Sequence, residues 1–372
     1  MKIFKLVCYA LVATFALVAC SDEDNGPAGG GGADDGLPFG VEARLYVVNQ
    51  GNIYSGIAGE MDRLIISTEA SGLPSAYYRD YFTSMNGQSL GDTPQGGIVY
   101  GSKIYVPVFG SNLVWVLDRR DLTIIDGIQT TAPEMLCADK GYVFVSNNNG
   151  YVSRIDTAAL AIDKSLAVGP NPYGLTTLGN KLYVAISDGY NYDNNYKNGK
   201  RVAVVDLQSF THTGDIPVGL NPGQVEKDGH GNLFVLCRGN YADVQPEVQK
   251  INPLTEEVTP AFASASFMAV GHSRLYALTV QSDYVNNTAT VTASAIDTRT
   301  GRVEKSPLFT PEESPASPVS VQINPESGDL YVCADRGPMD YEKSGLLYRY
   351  DADGKLLHRF ETGIHPCGVI FY

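Results

Sequence analysis

The chain has 372 residues, 44% of them hydrophobic, enough to bury a sizeable core in one large domain or two. Only 18% are charged, while Gly (39), Tyr (23) and Pro (20) are abundant, which suits many short strands joined by turns better than long surface helices. The formal net charge of -14 repels polyanions and argues against nucleic acid as a partner.

The first predicted element is an address. Lys2 and Lys5 precede the apolar run "LVCYALVATFALVA", Leu6 to Ala19, which is short for a bilayer span and suits the core of a signal peptide. Its end, "LVAC" at Leu17 to Cys20, resembles the bacterial lipobox, in which the cysteine becomes the lipidated first residue of the mature protein. Residues 1–19 are then a lipoprotein signal peptide and Cys20 a membrane anchor; a plain secretory signal with an incidental cysteine is the alternative. The acidic "SDEDN", Ser21 to Asn25, resembles the tag that sends Bacteroidetes lipoproteins to the outer face of the outer membrane, and otherwise is a solvated charge run. "GPAGGGGADDG", Gly26 to Gly36, has too little apolar surface to fold, so residues 20–42 are expected to form a flexible tether, its Gly-rich part reaching about 20 Å.

From there a strand with an aromatic second residue recurs. It appears as "LYVVN" at Leu45, "IYVPV" at Ile104, "YVFVSN" at Tyr142, "LYVAI" at Leu182, "LFVLC" at Leu233, "LYALT" at Leu275 and "LYVCA" at Leu330. The aromatics Tyr46, Tyr105, Phe144, Tyr183, Phe234, Tyr276 and Tyr331 are 39 to 59 residues apart, which fits propeller blades of four short strands carrying insertions. A Pro-marked turn precedes most anchors, as in "NPYGL" and "NPGQV", and a strand ending in Asp or Asn follows, as in "VAVVD". Asp118, Asp156, Asp206, Asn252, Asp297 and Asp351 in that position are expected to bond nearby backbone N–H groups at tight turns rather than to act in catalysis. The first unit, with "LIIST", and the sixth, with "SASFM", depart from the pattern. The chain enters the first unit at a second strand, "ARLYVVNQG", and ends on a first strand, "HPCGVIFY". Pairing the two would close a ring and remove two open sheet edges, giving an all-β, seven-bladed β-propeller over residues 43–372.

Over that span the NPxG, LYV and VxVID series resembles the YncE-like, or surface-layer-type, seven-bladed propellers, and the lipobox with its acidic tag resembles their Bacteroidetes lipoprotein members. The resemblance implies a surface lipoprotein that captures a small-molecule ligand. Among BtuG-like members of this shape, the ligand is a corrinoid such as cobalamin, delivered to a TonB-dependent transporter. No resident cofactor is implied.

Four-stranded up-and-down topology puts the loop between strands two and three and the link to the next blade on one face. The long insertions are all expected after strand two, on that face: "NQGNIYSGIAGEMD", "FGSN", "SNNNG", "SDGYNYDNNYKNGK", "RGNYADVQPE", "QSDYVNNT" and "DRGPMDYEKSG". Their Tyr, Asn, Asp and Gly give flat amphipathic surface with adaptable hydrogen bonding, although surface loops are often polar without binding anything. The candidate ligand-binding residues are Asn49, Tyr54, Phe109, Asn148, Asp188, Tyr190, Tyr192, Tyr196, Arg238, Tyr241, Tyr284, Arg336, Tyr341 and His365. A polar, extended ligand is expected, whether a corrinoid or a glycan; a protein partner is a further alternative.

Catalytic and metal signals are sparse. His212, His230, His272 and His358 fall near plain-face turns or on strands, and only His365 enters the long-loop face, beside Gln95, Glu134, Tyr173, Gly223 and Val319 at the channel mouth. A Glu134/His365 pair would offer the acid–base chemistry of a propeller lyase or lactonase. Asp188 and Asp193 are hard-oxygen donors but lack EF-hand spacing. Cys137, Cys237, Cys333 and Cys367 have neither CxxC nor Cys/His spacing, so neither zinc nor a disulfide framework is indicated and buried free thiols are expected.

Overall fold

The computed structural model describes residues 40–372. The expected signal peptide, Cys20, the expected acidic tag and the Gly-rich part of the expected tether lie outside the described residues. What is described forms seven four-stranded antiparallel sheets.

Strands are numbered in chain order. Blade one contains β1 (Val41–Asn49), β2 (Glu60–Ser67) and β3 (Ala76–Tyr78), so the first strand starts just before the expected boundary at residue 43. Blade two is β4 (Ile98–Tyr100), β5 (Lys103–Val108), β6 (Leu113–Asp118) and β7 (Ile124–Gln129). Blade three is β8 (Pro133–Asp139), β9 (Tyr142–Asn147), β10 (Tyr151–Asp156) and β11 (Ala161–Ala167). Blade four is β12 (Pro172–Leu178), β13 (Lys181–Ile186), β14 (Arg201–Asp206) and β15 (Thr211–Pro217). Blade five is β16 (Pro222–Lys227), β17 (Leu233–Cys237), β18 (Glu247–Asn252) and β19 (Glu257–Ala263). Blade six is β20 (Phe267–Val270), β21 (Arg274–Asp283), β22 (Thr288–Asp297) and β23 (Val303–Lys305). Blade seven is β24 (Ser317–Ile323), β25 (Leu330–Asp335), β26 (Ser344–Tyr350) and β27 (Leu356–Ile364). Finally β28 (Pro366–Phe371) returns to blade one as its innermost strand, pairing Leu45 with Phe371 and Val47 with Val369.

The closing seam is reinforced by side chains. Tyr372 stacks on Tyr46 with ring centroids 4.2 Å apart, and Arg63 Nε donates to the Tyr372 hydroxyl at 2.6 Å. Arg349 of β26, only 2% exposed, pairs with Asp329 and with Glu42 at the start of β1. Blade seven is thereby tied to blade one by charge as well as by apolar packing.

The core lies between blades, and the repeated aromatics explain why. Tyr46, Tyr105, Phe144, Tyr183, Phe234, Tyr276 and Tyr331 are all buried. Tyr276 of blade six, for example, packs in one cluster with Val321, Leu330 and Val332 of blade seven, and its hydroxyl donates to Ala352 O at 2.9 Å. The strand-ending acids behave as turn residues: Asp118 accepts from Arg120 N, Asp156 from Ala158 N, Asp206 from Ser209 N, Asn252 from Leu254 N, Asp297 from Thr300 N and Asp351 from Lys355 N.

Two features depart from the sequence expectation that the long insertions all follow strand two. The link from blade one to blade two carries a helix, α1 (Tyr81–Asn86), whose Phe82 is buried beside Trp115 and whose Asn86 side chain bonds Leu122 O and Ile124 N. In blade six, half of the segment expected as a loop is strand, because β21 and β22 remain paired out to Asp283 and Thr288.

Candidate functional site

The marker prolines shape the elaborated face. Each pairs with the end of the second strand of its blade: Pro94 with Val108, Pro133 with Asn147, Pro172 with Ile186, Pro222 with Cys237, Pro318 with Ala334 and Pro366 with Asn49. Proline is tolerated there because the innermost strand is an edge. In five blades the residue before it is left-handed, with φ of 58° at Thr93, 43° at Ala132, 48° at Asn171, 56° at Asn221 and 51° at His365. That conformation costs a residue with a Cβ about 1–2 kcal/mol. It turns the carbonyl toward the residue that opens the long loop: Phe109 N donates to Thr93 O (3.0 Å), Asn148 N to Ala132 O (2.9 Å), Ser187 N to Asn171 O (3.2 Å), Arg238 N to Asn221 O (2.9 Å) and Gln50 N to His365 O (2.9 Å). The point at which each of these loops leaves its sheet is fixed by this turn. The pairing register shifts just after the proline in blades three, four, five and seven, a bulge that re-aims the following side chains. Met135, Tyr173, Gln224 and Val319 accordingly line the channel.

Two cavities meet at the top of the axis. The larger, about 690 Å³, lies over blades seven, one and two and is lined by residues that include Gln50, Asn52, Tyr54, Asp92, Phe109, Tyr341 and His365. The smaller, about 260 Å³, heads the axial channel and includes Gln95, Tyr173, Gln224, Arg238, Ser266 and Val319. Gln50 and His365 line both. At Gly110, a Cβ would lie 2.2 Å from the Asp92 carboxylate, so only glycine lets that wall of the larger cavity close. The blade-one loop is braced from blade seven, since Asn52 Nδ2 donates to Tyr341 O at 3.2 Å and Ser55 Oγ to Glu342 Oε1.

The expected site residues sort into three groups. Tyr54, Phe109, Tyr341 and His365 gather in the larger cavity, and Arg238 with His365 in the smaller. Tyr190, Tyr192, Tyr241 and Tyr284 are exposed on loops of the same face. Of eight exposed tyrosines among the described residues, six lie in these loops, so the aromatic surface is concentrated on one side. The remaining positions serve the scaffold. Asn49 is buried and donates to Asp62; Tyr196 is buried with its ring edge toward Tyr241; Arg336 turns outward to Ser344 O and Glu361. Asp188 is buried as well, its carboxylate accepting from Asn191 Nδ2 (2.8 Å) and Asn198 N (3.0 Å) to fold its own loop. Asp92, Thr93 and Asn52 were missed by sequence reasoning. The first two sit in the link that carries α1, whose single apolar turn leaves no periodic signal.

Glu134 and His365 are each engaged elsewhere. Asn148 Nδ2 donates to Glu134 Oε1 at 2.5 Å, and burial pushes the Glu134 carboxyl above its ordinary range despite that bond and the Arg238 charge. His365 Nδ1 lies 2.8 Å from Asp335 Oδ2. A carboxylate can only accept, so Nδ1 carries the proton and Nε2 of the neutral ring is the acceptor. Among the described residues, no three His, Cys, Asp or Glu side chains gather as they would around a metal ion. Cys137, Cys237, Cys333 and Cys367 are free, and burial pushes the Cys237 and Cys333 thiols up to about 12, leaving them protonated and poor nucleophiles.

No family model matches the chain, and no curated protein matches it in sequence. Among solved structures, hydrazine synthase of Kuenenia stuttgartiensis is similar with a TM-score of 0.62 at 17% identity, over 74% of this chain and 89% of that one. A quinonprotein alcohol dehydrogenase-like protein from Bacteroides thetaiotaomicron gives 0.61 at 16% identity, over 88% and 78%. The WD40 domain of Neurospora crassa Pan2 gives 0.51 at 8% identity, over 74% and 80%. At such identities the likeness speaks for the fold alone, and the chain is a seven-bladed β-propeller closed by its last strand.

Proposed function

We propose that this propeller captures a flat, polar ligand on its long-loop face, with a corrinoid such as cobalamin the favoured ligand. The supporting observation is the 690 Å³ cavity walled by Tyr54, Phe109 and Tyr341 within a rim of exposed tyrosines. Tyr54 is 99% exposed, an apolar ring held in water that stacking against a ligand would shield. The volume is that of a small-molecule site. A corrinoid is large, flat and edged with amides, which suits tyrosine faces flanked by the Gln50 and Asn52 amides. The lipobox ending at Cys20 and the acidic Asp22, Glu23 and Asp24 support a lipid-anchored protein on the outer face of the outer membrane, handing its ligand to a TonB-dependent transporter.

Calorimetry of the purified chain with cyanocobalamin and with oligosaccharides tests the reading. Tyr54→Ala and Tyr341→Ala are expected to weaken cyanocobalamin about thirtyfold, the loss of a true hot spot. Leu254→Ala, on the opposite face, should leave affinity unchanged. Heat with oligosaccharides alone would favour a glycan-binding scaffold, and no heat with either would overturn capture.

The His365–Asp335 pair supports a second reading, a lyase or lactonase in which His365 Nε2 acts as the base. Turnover of a lactone that disappears in His365→Ala and survives in Tyr54→Ala would favour it over capture.

A further inference from the structure

Arg154, Arg201, Arg274 and Arg349 each reach a carboxylate within ion-pair distance. Arg63 reaches none but is held by the Tyr81 and Tyr372 hydroxyls, and Arg119 bonds Gly101 O. Arg238 reaches no carboxylate within ion-pair distance among the described residues, and it lines a cavity at the top of the axis. Its guanidinium lies 4.4 Å from the centre of the Tyr173 ring, over its face. Glu134 is near enough to feel its charge, but that carboxyl is held by Asn148. Room for the guanidinium is built into the backbone: a Cβ on Gly223 would lie 2.6 Å from Arg238 Nε and 2.9 Å from Cζ. The planar fork is thus clamped between a ring and a glycine while the residue lines the 260 Å³ cavity. A guanidinium has five N–H donors in a geometry that matches carboxylate and phosphate oxygens.

We infer that this smaller cavity is an anion subsite, in which Arg238, flanked by Gln95 and Ser266, takes the carboxylate or phosphate group of a ligand whose body lies in the larger cavity. Its volume suits one small anionic group and not a whole ligand. The shared lining by Gln50 and His365 sets the two spaces side by side. Only the placement of the ligand body rests on the capture reading; the anion site itself stands on the surroundings of Arg238. In a chain of net charge -14, long-range attraction contributes nothing to this selectivity, which must come from the local fork.

Thermal-shift titrations with sodium phosphate and with sodium malonate, against sodium chloride at matched ionic strength, test the subsite. A bound anion raises Tm with the logarithm of its concentration. The wild-type chain is expected to respond to at least one of the two at tens of millimolar, phosphate alone indicating a phosphoryl group and malonate alone a carboxylate. Arg238→Gln should lose the response and Arg238→Lys should weaken it about tenfold, while Arg302→Gln in a plain-face turn keeps it. If Arg238→Gln fails to fold, Gly223→Ala, which displaces the guanidinium, should abolish the response instead. Equal responses in wild type and in the folded Arg238 or Gly223 variant would overturn the subsite, as would no response to either anion. An anion response without cyanocobalamin or oligosaccharide heat would keep the subsite and sink capture; cyanocobalamin binding with no anion response would do the reverse.

Discussion

Glu226 shows how one residue can make this fold sensitive to pH. It faces the lower part of the channel, lining a space with Val270, Gln322 and Val369, and Val270 N donates to its Oε2 at 2.8 Å. Burial pushes its carboxyl up to about 7 from the ordinary 4.5, and the Val270 bond only partly opposes the shift. The folded state therefore prefers the protonated form. Its favourable contribution is full below about pH 4.5 and is lost as pH rises through about 7. Glu226→Gln keeps an acceptor for Val270 and removes the titration. The variant should match wild type in Tm near pH 4.5 and exceed it at pH 8; equal Tm values at pH 8 would refute this. Tyr276 offers a second residue-level test, since Tyr276→Phe deletes the hydroxyl, which donates to Ala352 O and lies beside Arg274, and should cost about 1 kcal/mol, whereas Tyr276→Ala opens an interblade void costing about 3–5 kcal/mol. Urea denaturation of the two variants separates the bond from the packing.

At the scale of the element, the recurring device is the left-handed residue before the marker proline. Asparagine fills it in blades four and five, and asparagine tolerates this conformation better than most residues. Ala132 has no such excuse: at φ 43° its Cβ has no polar group to recover the strain. Ala132→Gly should keep the Asn148 N to Ala132 O bond and stabilise the chain by about 1 kcal/mol. Ala132→Val should destabilise it and loosen the Asn148 loop. Denaturant midpoints of the pair check the sign, and a glycine variant less stable than wild type would show that the turn is not strained. His365 occupies the same conformation and lines both cavities, so the turn that launches the Gln50 loop also carries a cavity side chain.

For the whole molecule, the governing feature is closure. Deleting residues 365–372 removes β28, the Tyr372 stack and the Arg63 bond together, leaving β1 and its neighbours with open edges. Loss of soluble, cooperatively folding protein is expected, and unchanged thermal unfolding of the truncated chain would contradict the role of the seam. Arg349→Met should be severe for a related reason, because Asp329 would keep a buried charge with no counterion, a loss of about 3–5 kcal/mol. The proposed anchor is tested on whole cells. Cys20→Ala should release the protein from membranes, whereas neutralising Asp22, Glu23 and Asp24 should leave it lipidated but protected from added protease.

Sequence alone determined the blade count, the ring closure and the turn role of the strand-ending acids, because each depends on a pattern repeated within a few tens of residues. It also pointed to Tyr54, Phe109 and Tyr341 through the insertions that carry them, and to His365 through the Pro366 turn beside it, and these four line the larger cavity. Only the tertiary structure decided which loop residues share a cavity. Tyr54 and Tyr341 are almost three hundred residues apart, yet ring closure makes their blades neighbours. The same packing drew Asn49, Asp188 and Tyr196 inward, turned Arg336 toward Glu361, and laid the Arg238 guanidinium over the Tyr173 ring. A repeat is written locally and survives in one dimension, whereas a cavity is the space left between loops from different blades and exists only once the ring has closed.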